Sequence, residues 1–248
     1  MIREGFSELM ETTGSQQPYT IEPQSLAGFD VAIGHMRRRP GAVHLLYGHS
    51  LVYTVSLLIG SAVNQSLAVV DGAMKFNSYT LSKIAALLGV PPKALLRKTH
   101  VTRSFTAFQT EAAITTKLPR FLGSTPCPLV IILGLLDTYY DEQVHPPECR
   151  QSLQRIMRTL RELTVQNVHI LIADIEATNV PPGKEMLFHL IRHSADVVMR
   201  LEHNEFQRCE PAALSNEERG ISSWDEIMTP SLSLSIGAEK HGVNSEER

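Results

Sequence analysis

Pro128-Leu-Val-Ile-Ile-Leu133 decides the fold. The run has no polar residue and is too short for a helix that spans a domain, so it predicts a strand buried on both faces. A strand with one wet face would alternate apolar and polar residues; continuous apolar strands belong to parallel sheets covered by helices on both sides. Parallel neighbours need crossover connections, so helical segments are expected on each side of this run. They are there. Downstream, Cys149–Val165 places Leu153, Ile156, Met157, Leu160 and Leu163 on one helical face, with Arg150, Arg155, Arg158 and Arg161 mostly around the other. Strand Val168–Ala173, helix Leu187–His193 and strand Asp196–Leu201 follow. Upstream, Ala42–Tyr47 and Ser66–Val70 read as strands separated by the apolar run Leu51–Ile59. Ser78–Gly89 has helical spacing at Leu81, Ile84, Ala85 and Leu88 and stops at Gly89, with Pro91 and Pro92 beyond. Thr99–Arg103 is a strand and Ala107–Leu118 a helix. The alternation predicts an α/β fold with a mostly parallel central sheet flanked by helices. Ser231–Ile236 (SLSLSI) alternates and predicts a short antiparallel C-terminal portion.

Composition sets limits on function. The chain has 248 residues, 43% of them hydrophobic, enough for one large core. Residues 1–24 lack sustained apolar periodicity and are expected to form a tail, with a short helix around Phe6–Met10; a core domain over 25–242 and a tail over 243–248 complete the division. The net charge of −3 gives no bulk attraction to nucleic acid or to anionic membrane, so any DNA contact must be local. Cys127, Cys149 and Cys209 are odd in number and far apart, which predicts reduced thiols and no structural zinc. Neither a membrane-length apolar run nor a signal-peptide core is present, and a cytoplasmic protein is expected, nuclear or nucleoid-associated if the source cell dictates.

The order of segments resembles the ATPase core of the RecA/RadA recombinase superfamily. Gly41-Ala-Val-His-Leu-Leu-Tyr-Gly48 resembles the strand entering that family's phosphate loop, and Val70–Phe76 its second strand and following turn. Arg103-Ser-Phe105 with Gln109 is similar to the family's Arg-x-Phe followed four residues later by Gln, the most specific single match. Leu129–Leu133 falls at the Walker B strand, and Val168–Asp174 at the strand ending in a phosphate-sensing polar residue. Ala195–Leu201 falls after the second DNA loop, and Ser231–Gly242 resembles the closing strand and its turn.

The departures are chemical. A phosphate loop needs Gly-x-x-x-x-Gly-Lys-[Ser/Thr]: backbone N–H groups surround the phosphates, the lysine neutralises charge and the hydroxyl holds Mg²⁺. From Gly48 this chain reads GHSLVYTV, so Tyr53 replaces the second glycine, Thr54 the lysine and Val55 the hydroxyl. No lysine precedes Lys75. The position of the catalytic glutamate is Ala73, and that of the Walker B aspartate is Leu133. The resemblance with these losses implies a degenerate nucleotide site at Gly48, Tyr53, Thr54, Ala73 and Leu133, no bound ATP–Mg²⁺ cofactor and no enzymatic turnover.

What remains is binding. The resemblance implies a pseudo-ATPase acting in DNA recombination or repair through contacts with an active recombinase or recombinase paralogue, as a homo-oligomer, or with single-stranded DNA. Candidate DNA contacts are the basic run Arg37, Arg38 and Arg39, the helical Arg155 and Arg158, Lys184 in NVPPGK, and Tyr139 and Tyr140 where the first DNA loop would begin. Ordinary packing and solvated polar faces compete with each. Asp71, Asp137 and Glu142 offer an alternative: an atypical metal-assisted phosphate site in a nucleotide-dependent enzyme. A purely structural RecA-like subunit is the third reading. His189 and His193 share a helical face but lack an evident third ligand, so no metal site is assigned.

Overall fold

The computed structural model describes residues 33–34, 37, 41–63, 66–141, 143–202 and 205–209, the last five by backbone alone. Its elements are β1 (Val43–Gly48), α1 (Val52–Val63), β2 (Leu67–Asp71), α2 (Ser78–Leu87), α3 (Pro92–Arg97), β3 (Thr99–Arg103) and α4 (Ala107–Ala112). A π-helical turn, Ala113–Lys117, leads to α5 (Leu118–Ser124), followed by β4 (Leu129–Leu133), α6 (Pro146–Val165), β5 (His169–Ile175), α7 (Met186–Ser194), β6 (Val197–Glu202) and β7 (Glu205–Cys209). The strands form one seven-stranded sheet in the order β3-β2-β4-β5-β1-β6-β7. Every pairing from β3 to β6 is parallel, and β7 runs antiparallel to β6.

The PLVIIL run occupies the position its composition demands. All of Leu129–Leu133 is 0% exposed, with β2 on one side and β5 on the other. The pleat sends Leu129, Ile131 and Leu133 into a core shared with α1, α2 and α3. Val130 and Ile132 enter the opposite core, built from α4, the π-turn, α5, α6 and α7. This segregation follows from right-handed crossovers: connections running one way across the sheet leave their helices on one face, and those running the other way on the second. The C-terminal ends of the parallel strands β1, β2, β4 and β5 therefore lie along one edge, where open α/β sheets carry their sites.

Local signals place most elements. Asn77 caps α2 by accepting from Tyr79 N at 2.8 Å, and Gly89, at φ +69°, closes it while Val90 N donates to Ala85 O. Beyond that stop, Pro92 opens α3, where its missing N–H costs nothing. One expectation needs correction. The segment Ala107–Leu118 is not one regular helix: it passes through the π-turn into α5, with Pro119 in the first turn. Helix α6 begins at Pro146, three residues before Cys149. Among the described residues no helix is long and apolar enough to cross a membrane. The predicted strand Ser231–Ile236, the two tails and the helix around Phe6–Met10 lie outside the described residues.

Candidate functional site

The resemblance puts its phosphate loop between β1 and α1. Gly48 stands at φ +125°, and a Cβ there would lie 2.3 Å from Leu201 O, so this glycine permits close passage beside β6. Only His49, Ser50 and Leu51 separate the strand from the helix. Two of their backbone donors and the first of α1 are turned onto the protein's own acceptors: His49 N donates to Leu201 O at 3.0 Å, Leu51 N to His49 Nδ1 at 3.4 Å, and Val52 N to His49 O at 2.9 Å. A phosphate cradle needs such N–H groups free and convergent.

Tyr53 lies in the first turn of α1, 3% exposed. Its hydroxyl donates to Asp137 Oδ2 across 3.4 Å. Burial pushes the phenol far above its ordinary range, and the carboxylates of Asp174, Asp137 and Asp71 push it further the same way. The parallel sheet gathers these acids: Asp71 ends β2, Asp137 follows β4 and Asp174 lies near the end of β5. Asp71, fully buried, accepts from Lys75 N and Phe76 N at 2.9 and 3.1 Å and faces Arg103 Nε at 3.3 Å. It thereby holds the turn that carries Ala73. Asp174 accepts from Leu136 N at 3.0 Å, and burial raises its carboxyl to about 8. Burial likewise raises Asp137, against the lowering effect of the Tyr53 hydrogen bond.

Ala73 and Leu133, where the resemblance puts carboxylates, are apolar. Leu133 is 0% exposed in the α1-side core, and its carbonyl accepts from Gly72 N and Ala73 N at 2.9 and 3.1 Å. Thr54 is half-buried on α1. Asp71 and Asp137 approach the same tyrosine, whereas Glu142 lies outside the described residues. Among the described residues no three His, Cys, Asp or Glu side chains are placed to share a metal ion, His189 and His193 included.

Several DNA candidates sit elsewhere than expected. Tyr139 is 0% exposed; its hydroxyl lies 2.6 Å from Ser152 Oγ and donates to Ala107 O at 3.3 Å, so the ring is core and offers no face to a base. Lys184 is 2% exposed, and its ammonium donates to Tyr139 O at 2.9 Å and to Asp141 O. It fastens the loop after β4 to the loop before α7 and does not reach phosphate. Arg155 is held by Glu111 through Nε and Nη2, with Ser152 on the same carboxylate. Tyr140 is half-buried, Arg158 is exposed, and exposed Arg37 donates to Ala62 O at 3.0 Å. Arg38 and Arg39 lie outside the described residues. The structure does not bring these candidates into one surface.

Sequence reasoning passed over Asp174 as a neighbour of Tyr53. The signal was a lone aspartate ending the strand HILIAD, a position where an acid in an otherwise apolar strand has to be bound or neutral. Compared with known proteins, the chain matches no protein-family model, and no curated protein matches it.

Proposed function

We propose that this chain is a non-catalytic relative of the RecA/RadA recombinases, one that contributes protein contacts to DNA recombination or repair and does not turn over ATP. What supports the reading is the buried tyrosine that stands where the resemblance puts the phosphate loop. At the start of α1, where a nucleotide-binding relative presents free N–H groups and a lysine, this chain presents a buried tyrosine among Asp71, Asp137 and Asp174, and His49 N, Leu51 N and Val52 N are turned onto the protein's own acceptors. No lysine stands at the phosphate-loop position and the Arg103 guanidinium is taken up by Asp71, whereas phosphoryl transfer depends above all on charge compensation.

Strand order supports the same reading. The resemblance places the degenerate phosphate strand at β1 and the degenerate Walker B strand at β4, and β5, ending near Asp174, lies between them. A fold alone hosts many functions, so the assignment rests on that placement together with the lost charges. With turnover gone, the surface is what remains to act, and an active recombinase or paralogue is the partner the resemblance implies.

The test is direct. Purified chain mixed with an active strand-exchange recombinase is expected to co-elute with it in size-exclusion chromatography, and the chain alone is expected to release no phosphate from ATP. Separate elution from recombinase and paralogue alike, or steady ATP turnover by the chain, contradicts the proposal.

A further inference from the structure

Seven large hydrophobic side chains among the described residues are more than a third exposed, and four of them stand at one corner of the sheet: Met74 at 47%, Tyr79 and Phe105 at 65% each, and Phe108 at 63%. Exposed rings scattered singly are common; a set of them on adjoining turns is a different matter. Met74 lies in the turn after β2, Tyr79 in the first turn of α2, and Phe105 and Phe108 on either side of the start of α4.

The backbone beneath them is fastened. Asp71, buried at the end of β2, accepts from Lys75 N and Phe76 N at 2.9 and 3.1 Å. Arg103 Nη2 donates to Phe76 O at 2.9 Å and so joins the end of β3 to the residues leading into α2. Asn77 Oδ1 accepts from Tyr79 N at 2.8 Å. Thr106 Oγ1 accepts from Gln109 N at 3.2 Å while Gln109 Oε1 accepts from Phe105 N at 2.9 Å, a pair of bonds that fixes Phe105 and Phe108 around the cap of α4. Met74 is held at φ +56°, a left-handed conformation that residues with a side chain seldom adopt and that has an energetic cost. Apolar side chains presented on fixed turns lose little freedom when something covers them, which favours docking.

The charge around these side chains is of one sign. From Gly72 to Thr110 the chain has no aspartate or glutamate. Lys75, next to Met74 in sequence, is exposed, and Lys83 Nζ lies 4.6 Å from the centre of the Tyr79 ring. The acid beneath, Asp71, is taken up by Arg103 and the two backbone donors. Two lysines are too few to carry a nucleic-acid strand, whose affinity depends chiefly on the number of phosphates neutralised. Phenylalanine, tyrosine and methionine with charge only at the border are the composition of a protein interface.

We infer that this corner docks an acidic segment of another protein, whose apolar side chains cover Met74, Tyr79, Phe105 and Phe108 and whose carboxylates meet Lys75 and Lys83. The inference rests on the protein-contact part of the proposed function and gives that contact a chemistry, opposite charge around an aromatic centre. Neither nucleotide nor DNA enters it.

The experiment is fluorescence anisotropy of the full chain with two labelled amphipathic peptides of about 20 residues, long enough to form a helix. One sets leucine against glutamate and the other leucine against lysine. The glutamate peptide is expected to bind and the lysine peptide to remain free. Phe105→Ala combined with Phe108→Ala is expected to weaken binding about tenfold or more, as truncation of aromatic anchors does. Lys83→Glu is expected to weaken it and to reduce its sensitivity to salt. Val165→Ser, which removes an exposed apolar side chain on α6, is expected to leave affinity unchanged, and unaltered thermal unfolding shows that each variant is folded. No binding of the glutamate peptide at about 1 mM, equal binding of the lysine peptide, or affinity indifferent to the paired phenylalanine substitutions overturns the inference. Binding of oligo(dT) that is lost with the same two phenylalanines assigns the corner to single-stranded DNA, and dimerisation lost with them assigns it to a second copy of the chain; either result overturns it equally. The co-elution test of the proposed function is decided separately from all of these.

Discussion

The hydroxyl of Tyr53 donates to Asp137 Oδ2 across 3.4 Å, and through that contact a side chain from the first turn of α1 closes over the end of the sheet. The separation is long for an O–H···O bond, so the ring contributes more than the hydroxyl does. Tyr53→Phe is expected to cost less than about 1 kcal/mol, and Tyr53→Ala about 3–5 kcal/mol through the cavity it opens. Urea denaturation of both variants checks the split. Equal losses would show that the hydrogen bond, and not the filled volume, maintains this end of α1.

Asp174 gives the fold a pH dependence of unusual sign. Folded, the carboxyl keeps its proton to about pH 8; unfolded, it releases it near the ordinary value of about 3.9. Between those values the folded state binds more protons, so this group's contribution is full at low pH and is lost as pH rises. Asp174→Asn retains an acceptor for Leu136 N and removes the ionisation. Its stability relative to wild type is expected to improve from pH 5 to pH 8, by at most about 1.4 kcal/mol per pH unit. A relative stability that is flat over that range in paired denaturant titrations contradicts this.

His44 acts in the opposite direction. The ring is 0% exposed on β1, and neither nitrogen has a well-formed hydrogen bond. Burial lowers its pKa to about 4, aided by His169. The unfolded chain therefore binds the proton first, and stability present above about pH 6.5 is lost as pH falls toward 4. His44→Leu is expected to shrink that acid-side loss, measured as the change in denaturation midpoint between pH 7 and pH 5. An undiminished loss would place the acid sensitivity elsewhere.

Lys184 is a structural cation. Lys184→Ala removes the ammonium donor from the carbonyls of Tyr139 and Asp141, which keep only the weaker contacts of Cys149 Sγ at 3.7 Å and Val144 N at 3.3 Å. The expected result is about 1–3 kcal/mol of lost stability in urea denaturation. Unchanged stability would show that this ammonium does not hold the two loops together.

The pattern of what the sequence revealed has a physical basis. PLVIIL could be read because burial on both faces removes every polar residue, a signal confined to consecutive positions. The α6 stripe was legible for a similar reason, since helical period and buried face coincide at Leu153, Ile156, Met157 and Leu160. The cluster around Tyr53 was not, because Asp71, Asp137 and Asp174 become neighbours only when parallel strands align their C-terminal ends. Tyr139 and Tyr140 show the limit most sharply: they are adjacent in sequence, yet one is fully buried and the other half-buried, a difference set by packing against α4 and α6. Lys184, between Gly183 and Glu185, reads as a solvated loop residue until the carbonyls that receive it are in place.

The central claim is that the phosphate position is closed. Thermal unfolding of the full chain with and without millimolar ATP–Mg²⁺ tests it most directly, since a ligand at about one hundred times its dissociation constant adds about 2.7 kcal/mol of stability. An unfolding temperature unmoved by ATP–Mg²⁺ is the predicted result; a clear upward shift would mean that Tyr53 yields its place to phosphate, and would contradict the account.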